Sequence, residues 1–298
     1  MWITLAFLSA LALGCYDTCK KHALTGNAVI PVLFAHALLS AALFAPLVLL
    51  SQATDRLDAS PLHVPRLDAA THARVGLKAV IVLASWICGY FAVKHLPLTV
   101  TGPVKATQPV MTLAGAMILF GERLNICQWT GVALAALSFI LLSVSGKKEG
   151  IRFLHSRWIA CALLSTLLGA ASGLYDKHLM TSLDVVAVQA WFNIYQFALM
   201  IPVLFCLWYP LRRQTTPWQW RSSILGLTFA LAAADWIYFH ALSQPGAMIS
   251  VISMIRRSSV AVTFIAGATL FHEKNLKSKI IDLILVLSGM IFLYLGTK

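Results

Sequence analysis

Ten stretches of apolar residues, joined by short polar connections, constrain this chain more than any other feature. They run over about 2–22, 28–50, 75–93, 97–120, 126–145, 157–176, 184–209, 222–242, 247–271 and 278–296. Each approaches the ~20 residues an α-helix needs to cross a ~30 Å hydrocarbon core. In lipid every backbone polar group must be bonded within the protein, which leaves helices or a closed barrel. The stretches lack the apolar–polar alternation of barrel strands. The expectation is therefore an all-α membrane protein with ten transmembrane helices. With 59% hydrophobic and 11% charged residues, little sequence remains for an appended soluble domain. The first stretch has no basic flank and runs on to about His22, which favours a first helix over a cleaved signal.

Within the apolar stretches, a few charges stand out. Lys105 lies in the fourth, and Arg256 and Arg257 lie in the ninth. A cation in hydrocarbon costs several kcal/mol, so it faces a cavity or a partner. These positions are also in register. Glu122 follows Lys105 by 17 residues, and Glu273 follows Arg256 by 17. The first and sixth stretches share Gly14-Cys15-Tyr16-Asp17 and Gly173-Leu174-Tyr175-Asp176. The third and eighth share Ser85-Trp86-Ile87 and Asp235-Trp236-Ile237. The chain thus divides into related halves, 1–146 and 147–298. Five helices per half is an odd number, so the second half must be inverted in the membrane. That arrangement is common in secondary transporters, with substrate held near the midplane.

Lys105 falls about eight residues into its helix and Arg256 about ten, which is ~12–15 Å from one end. Inversion measures these depths from opposite faces, so both approach the midplane. Arginine offers a planar fork and lysine a compact charge, a set suited to phosphate or carboxylate. Pro103 and Pro109 each remove a helical N–H and should open the helix beside Lys105. The alternative for Lys105 is a snorkelling side chain with a structural partner. Arg256 and Arg257 point about 100° apart on a helix of 3.6 residues per turn, so one can face a cavity while the other pairs. Asp235 is the obvious partner, as a structural ion pair or as a coupling acid. Asp17 with Lys20 and Lys21, and Asp176 with Lys177 and His178, read either as gates at opposite mouths or as ordinary helix-end charge. Tyr16 and Tyr175 suit a cavity or an interfacial belt. His240 suits a substrate hydrogen bond or simple packing.

The helix end Phe120-Gly121-Glu122-Arg123-Leu124, followed by Trp129-Thr130-Gly131, resembles the EamA-type carriers of the drug/metabolite transporter superfamily. The resemblance covers essentially the whole chain. It implies a ten-helix carrier in a bacterial inner membrane and says little about cargo. Lys105-Ala106-Thr107-Gln108-Pro109, with Gly121-Glu122 beyond it, is similar to the fourth helix of triose-phosphate and nucleotide-sugar translocators. Arg256-Arg257 stands where the triose-phosphate carriers have a Lys-Arg pair. By that resemblance Lys105, Arg256 and Arg257 would hold a substrate phosphate. Gln108 replaces the family's acid and Arg256 its lysine, so triose phosphate itself is not implied.

The expected function is alternating-access exchange of a small organic anion, with cations left uncompensated when the carrier is empty. A proton-coupled exporter of amino acids or drugs is the main alternative, and a lipid-phosphate-handling protein is one of another class. No Gly-x-Ser-x-Gly, His-Glu-x-x-His or P-loop motif points to an enzyme. The six cysteines make no Cys-x-x-Cys pair and are expected to pack in the core, without disulfide, metal or cofactor. The net charge of +12 fits loops against anionic lipid, not nucleic acid. Counting loop lysines and arginines, Lys78 among them, puts both termini outside. Residues 66–74 form either an interfacial helix or a solvated loop. One chain holds both halves of the site, so a monomer suffices and a dimer stays open.

Overall fold

The structure, a computed structural model, describes residues 2–54, 57, 60, 62–108, 110–112, 114–115, 125–127, 129–131, 133–134, 137, 156–180, 182–244, 247, 252, 255–256, 258–271 and 276–296. Among these, nine helices are assigned and no strand. They are α1 (Trp2–Leu24), α2 (Val29–Ala53), α3 (Ala69–His95), α4 (Leu98–Ala106), α5 (Arg157–Met180), α6 (Val185–Val203), α7 (Ser223–Ser243), α8 (Ser259–Thr269) and α9 (Leu276–Leu295). Among the described residues six spans are long and apolar enough to cross a bilayer: α1, α2, α3, α5, α7, and α6 together with its π-helical extension Leu204–Trp208. Arg257, Pro109, Glu122, Arg123, Glu273 and Lys274 lie outside the described residues, as does much of the fourth, fifth and ninth apolar stretches.

Several ends are set by local chemistry. Asp68 caps α3 by accepting from the Thr71 N–H at 3.3 Å, and Asp184 caps α6 by accepting from Ala187 N–H at 2.9 Å. The sequence left 66–74 open between a loop and an interfacial helix. In the structure Ala69 onward is already the first turn of α3. Between α1 and α2 the chain turns at Gly26, whose φ of 64° favours glycine. The next residue, Asn27, ties this turn to the segment before α7. Its Nδ2 donates to Gln219 O at 2.7 Å, and its Oδ1 accepts from Gln219 N–H at 2.9 Å.

The helices pack mainly across the two halves of the chain: α1 on α7, α3 on α5, α2 on α6, and α4 on α8. Small residues permit the closest approaches. A Cβ on Gly89 would sit 2.7 Å from Ser165 Oγ, where α3 meets α5. Beside it the Ser85 hydroxyl donates to Ser165 O at 2.8 Å. Elsewhere Ser9 Oγ donates to Ala234 O at 2.7 Å, and Gln196 Nε2 to Ala79 O at 2.9 Å.

The outer surface is apolar. Phe7, Leu49, Leu167, Phe229 and Ile265 are all more than half exposed, which suits a protein whose solvent is hydrocarbon. The cysteines correct the sequence reading: Cys15, Cys127 and Cys206 are exposed rather than packed inside. A thiol behaves as a small apolar group, and facing lipid satisfies it as well as a core would.

Candidate functional site

One face of each of three helices is polar, and these faces converge. On α3 the residues Lys78, Ser85, Gly89 and Tyr90 recur at helical spacing. On α5 the corresponding set is Ser165, Gly169, Ser172 and Asp176, and α1 adds Tyr16, Asp17 and Lys20. With Asp235 of α7, Lys105 of α4 and Arg256, they line a central cavity of about 180 Å³. A cavity below the roughly 300–1,000 Å³ typical of drug-sized pockets fits a small metabolite.

The cavity is held by ion pairs. Lys105 Nζ donates to Asp17 Oδ1 at 2.9 Å. The same oxygen accepts from Lys20. Arg256 donates through NH2 to Asp235 Oδ1 at 2.8 Å. Lys78 Nζ lies 2.6 Å from Asp176 Oδ1, a close charge–charge contact without hydrogen-bond alignment. Three of the four cations are also covered by rings. Lys20 sits 4.2 Å from the Tyr16 centroid and 5.4 Å from that of Tyr90. Lys78 lies between Phe239 at 4.2 Å and Phe192 at 4.8 Å. The Arg256 guanidinium stacks on Tyr238 at 4.1 Å. Such contacts strengthen when water is excluded. The side chain of Lys105 is 23% exposed, against 3% for Lys20 and for Lys78 and 10% for Arg256.

Several expected site residues come together here: Lys105, Arg256, Asp17, Asp176, Asp235 and Tyr16 all line the cavity. Others do not. The Tyr175 hydroxyl reaches Arg74 O at 3.2 Å, outside the cavity. His240 Nδ1 contacts Trp236 O at 2.9 Å, one turn back on its own helix, and does not line the cavity either. Lys21 turns away from Asp17 to the carbonyls of Val93 and Leu96, at 2.9 and 2.7 Å, where α3 ends. A cation suits a helix C-terminus. Lys177 is exposed. The picture of two acid–base gates at opposite mouths is therefore corrected. Helix α1 runs on to Leu24 and α5 to Met180, so Asp17 and Asp176 lie inside their helices and share one cavity.

Pro103 lies within α4, and the regular helix stops at Ala106, one residue past Lys105. Thr107 N then closes a tighter turn on Val104 O at 3.2 Å. Helix α4 thus opens beside its lysine. Pro109, the other expected cause, lies outside the described residues.

Sequence reasoning missed Lys78 and its tie to Asp176, and it chose Lys21 over Lys20 as the α1 cation of the site. The Lys78, Ser85, Gly89 stripe was a usable signal, because a buried lysine one helical face along from small residues points inward. The cations expected to stand uncompensated are each in contact with a carboxylate, yet not all of their charge is offset. Four cations (Lys20, Lys78, Lys105, Arg256) meet three carboxylates (Asp17, Asp176, Asp235) among the described lining residues, an excess of 4 − 3 = 1.

The sequence profile of the EamA-like transporter family matches residues 1–144 and 156–295. No curated protein matches the chain. A solved structure, described only as the crystal structure of a protein, superposes with a TM-score of 0.66 at 13% identity, covering 99% of this chain and 97% of its own. That likeness concerns the fold alone.

Proposed function

The chain belongs to the EamA-like transporter family, and so to the drug/metabolite transporter superfamily; on that premise we propose that it is a secondary transporter carrying a small organic anion, a phosphorylated metabolite, by alternating-access exchange. The observation that carries this reading is the charge of the cavity. One cation is in excess, and Lys105 is the most exposed of the four. An anion of one charge entering beside Lys105 would neutralise the site, letting the loaded carrier reorient through an apolar interior. Arg256 supports the same cargo, since its buried Nε has no hydrogen-bond partner among the described residues and points a donor toward the site.

We further propose ten helices in two inverted repeats, 1–146 and 147–298, in a bacterial inner membrane. Helix pairing supports this: exchanging the halves turns the α1–α7 contact into α5–α3 and maps α2–α6 and α4–α8 onto themselves. The three cavity carboxylates keep one other reading in play, proton-coupled export of a zwitterion such as an amino acid, which needs an acid in the site.

Proteoliposomes loaded with phosphate and offered labelled phosphate esters, carboxylates and amino acids separate the two. Uptake of an anionic ester, lost in Lys105→Ala and Arg256→Ala, supports the anion exchanger. Uptake of amino acids alone, driven by a proton gradient and kept in both variants, refutes it.

A further inference from the structure

The four cations of the cavity are not equivalent. Lys20, Lys78 and Arg256 each have a carboxylate and at least one covering ring. No ring among the described residues covers Lys105. Its carboxylate partner, Asp17, is shared, because the same Oδ1 also accepts from the buried Lys20. Asp17 can therefore let go of Lys105 and remain paired. Neither Asp176 nor Asp235 has a second cation bonded to it among the described residues, so neither has this freedom.

We propose that Asp17 is a resident counter-anion for Lys105. In the empty cavity its carboxylate lies between Lys105 and Lys20 and offsets one of their two charges. When cargo arrives, the cargo's anionic group takes over Lys105 and Asp17 stays on Lys20. No bond is made or broken beyond these contacts, and no proton moves. The inference rests on the anion-transport reading above and goes beyond it in one respect: cargo binds Lys105 in competition with a carboxylate of the protein itself. Without Asp17, cargo meets Lys105 with no competitor. The arrangement also sets a threshold for cargo. A neutral or cationic molecule cannot displace the carboxylate, so the resident ion pair selects against it at the point of entry.

The test is exchange in proteoliposomes loaded with phosphate, with labelled inorganic phosphate as the first probe and a labelled three-carbon phosphate ester as the second. Asp17→Asn is expected to lower the KM for both by about 3- to 10-fold, as Lys105 loses its competitor. Because Asp17→Asn leaves two cations with no carboxylate between them, the double variant Asp17→Asn/Lys20→Met, which restores the net charge, is measured beside it and is expected to show the same shift. A double variant whose KM matches or exceeds that of wild type overturns the inference. If wild-type protein carries neither probe, the anion reading fails and the inference falls with it.

Discussion

Replacing Lys78 with methionine isolates the energetics of the cavity better than any other single change. Lys78 Nζ stands 2.6 Å from Asp176 Oδ1, with side-chain exposures of 3% and 11%. Its ammonium also lies 4.2 and 4.8 Å from two phenylalanine rings. Methionine keeps the length and recovers part of the ring contact, roughly 0.3–1.5 kcal/mol for sulfur on an aromatic edge. It leaves Asp176 as a buried carboxylate with no counter-ion. Breaking a buried pair from one side costs about 3–5 kcal/mol, whereas replacing both members with apolar groups of like volume is neutral or stabilising by about 1–4 kcal/mol. At this chain length roughly 2 °C of melting temperature accompanies each kcal/mol. Lys78→Met should therefore lower the apparent melting temperature in detergent by about 6–10 °C. Lys78→Met/Asp176→Leu should restore it to within about 2 °C of wild type or above. The double variant should still fail to transport, because the cavity has lost two of its polar groups. The reasoning is refuted if the single variant melts with wild type, or if the double variant melts lower than either single change.

Other predictions follow from the packing and the caps. Gly89→Ala places a methyl 2.7 Å from Ser165 Oγ and should cost about 1–3 kcal/mol through overpacking, read as a lower melting temperature. Asn27→Ala removes both bonds to Gln219. It leaves groups that lose about 1–3 kcal/mol when unpaired and buried, and amide exchange over 216–222 should quicken while exchange in α3 stays unchanged. Hydrogen bonds to Thr71 hold the Asp68 carboxyl below the usual carboxylate range. Its contribution to the start of α3 is therefore present above the ordinary aspartate value and is lost as pH falls through the depressed one. Exchange protection over residues 70–73, corrected for intrinsic rates, should drop at the acid end and should not respond to pH in Asp68→Ala.

The sequence carried the depth of the charged groups well and their direction poorly. Lys105 and Arg256 interrupt apolar stretches, and depth alone requires that such cations face inward. Lys78 escaped notice because its stretch was taken to begin at residue 75, which left it beside a loop. Helix α3 begins at Ala69, so Lys78 is nine residues in, about 14 Å along the axis. Tyr16 and Tyr175 occupy matching places in the two halves, yet only Tyr16 reaches the cavity. A repeat fixes position along a helix, while rotation about the axis is decided by the neighbours against which that helix packs. Lys20 and Lys21 make the same point from one residue apart. One is buried on Asp17, and the other reaches the far end of α3.

The pairing of helices across the two halves also orders the birth of the molecule. Lys78 leaves the ribosome 98 residues before Asp176 (176 − 78), a wait of about 5–20 s at ordinary rates of synthesis. During that interval α3 has neither its carboxylate nor the packing face of α5. The bilayer must hold a lysine-bearing helix whose partner does not yet exist. Chaperoning of the early half, or a shallow waiting position that keeps the ammonium near water, is thus a requirement of biogenesis imposed by the finished fold.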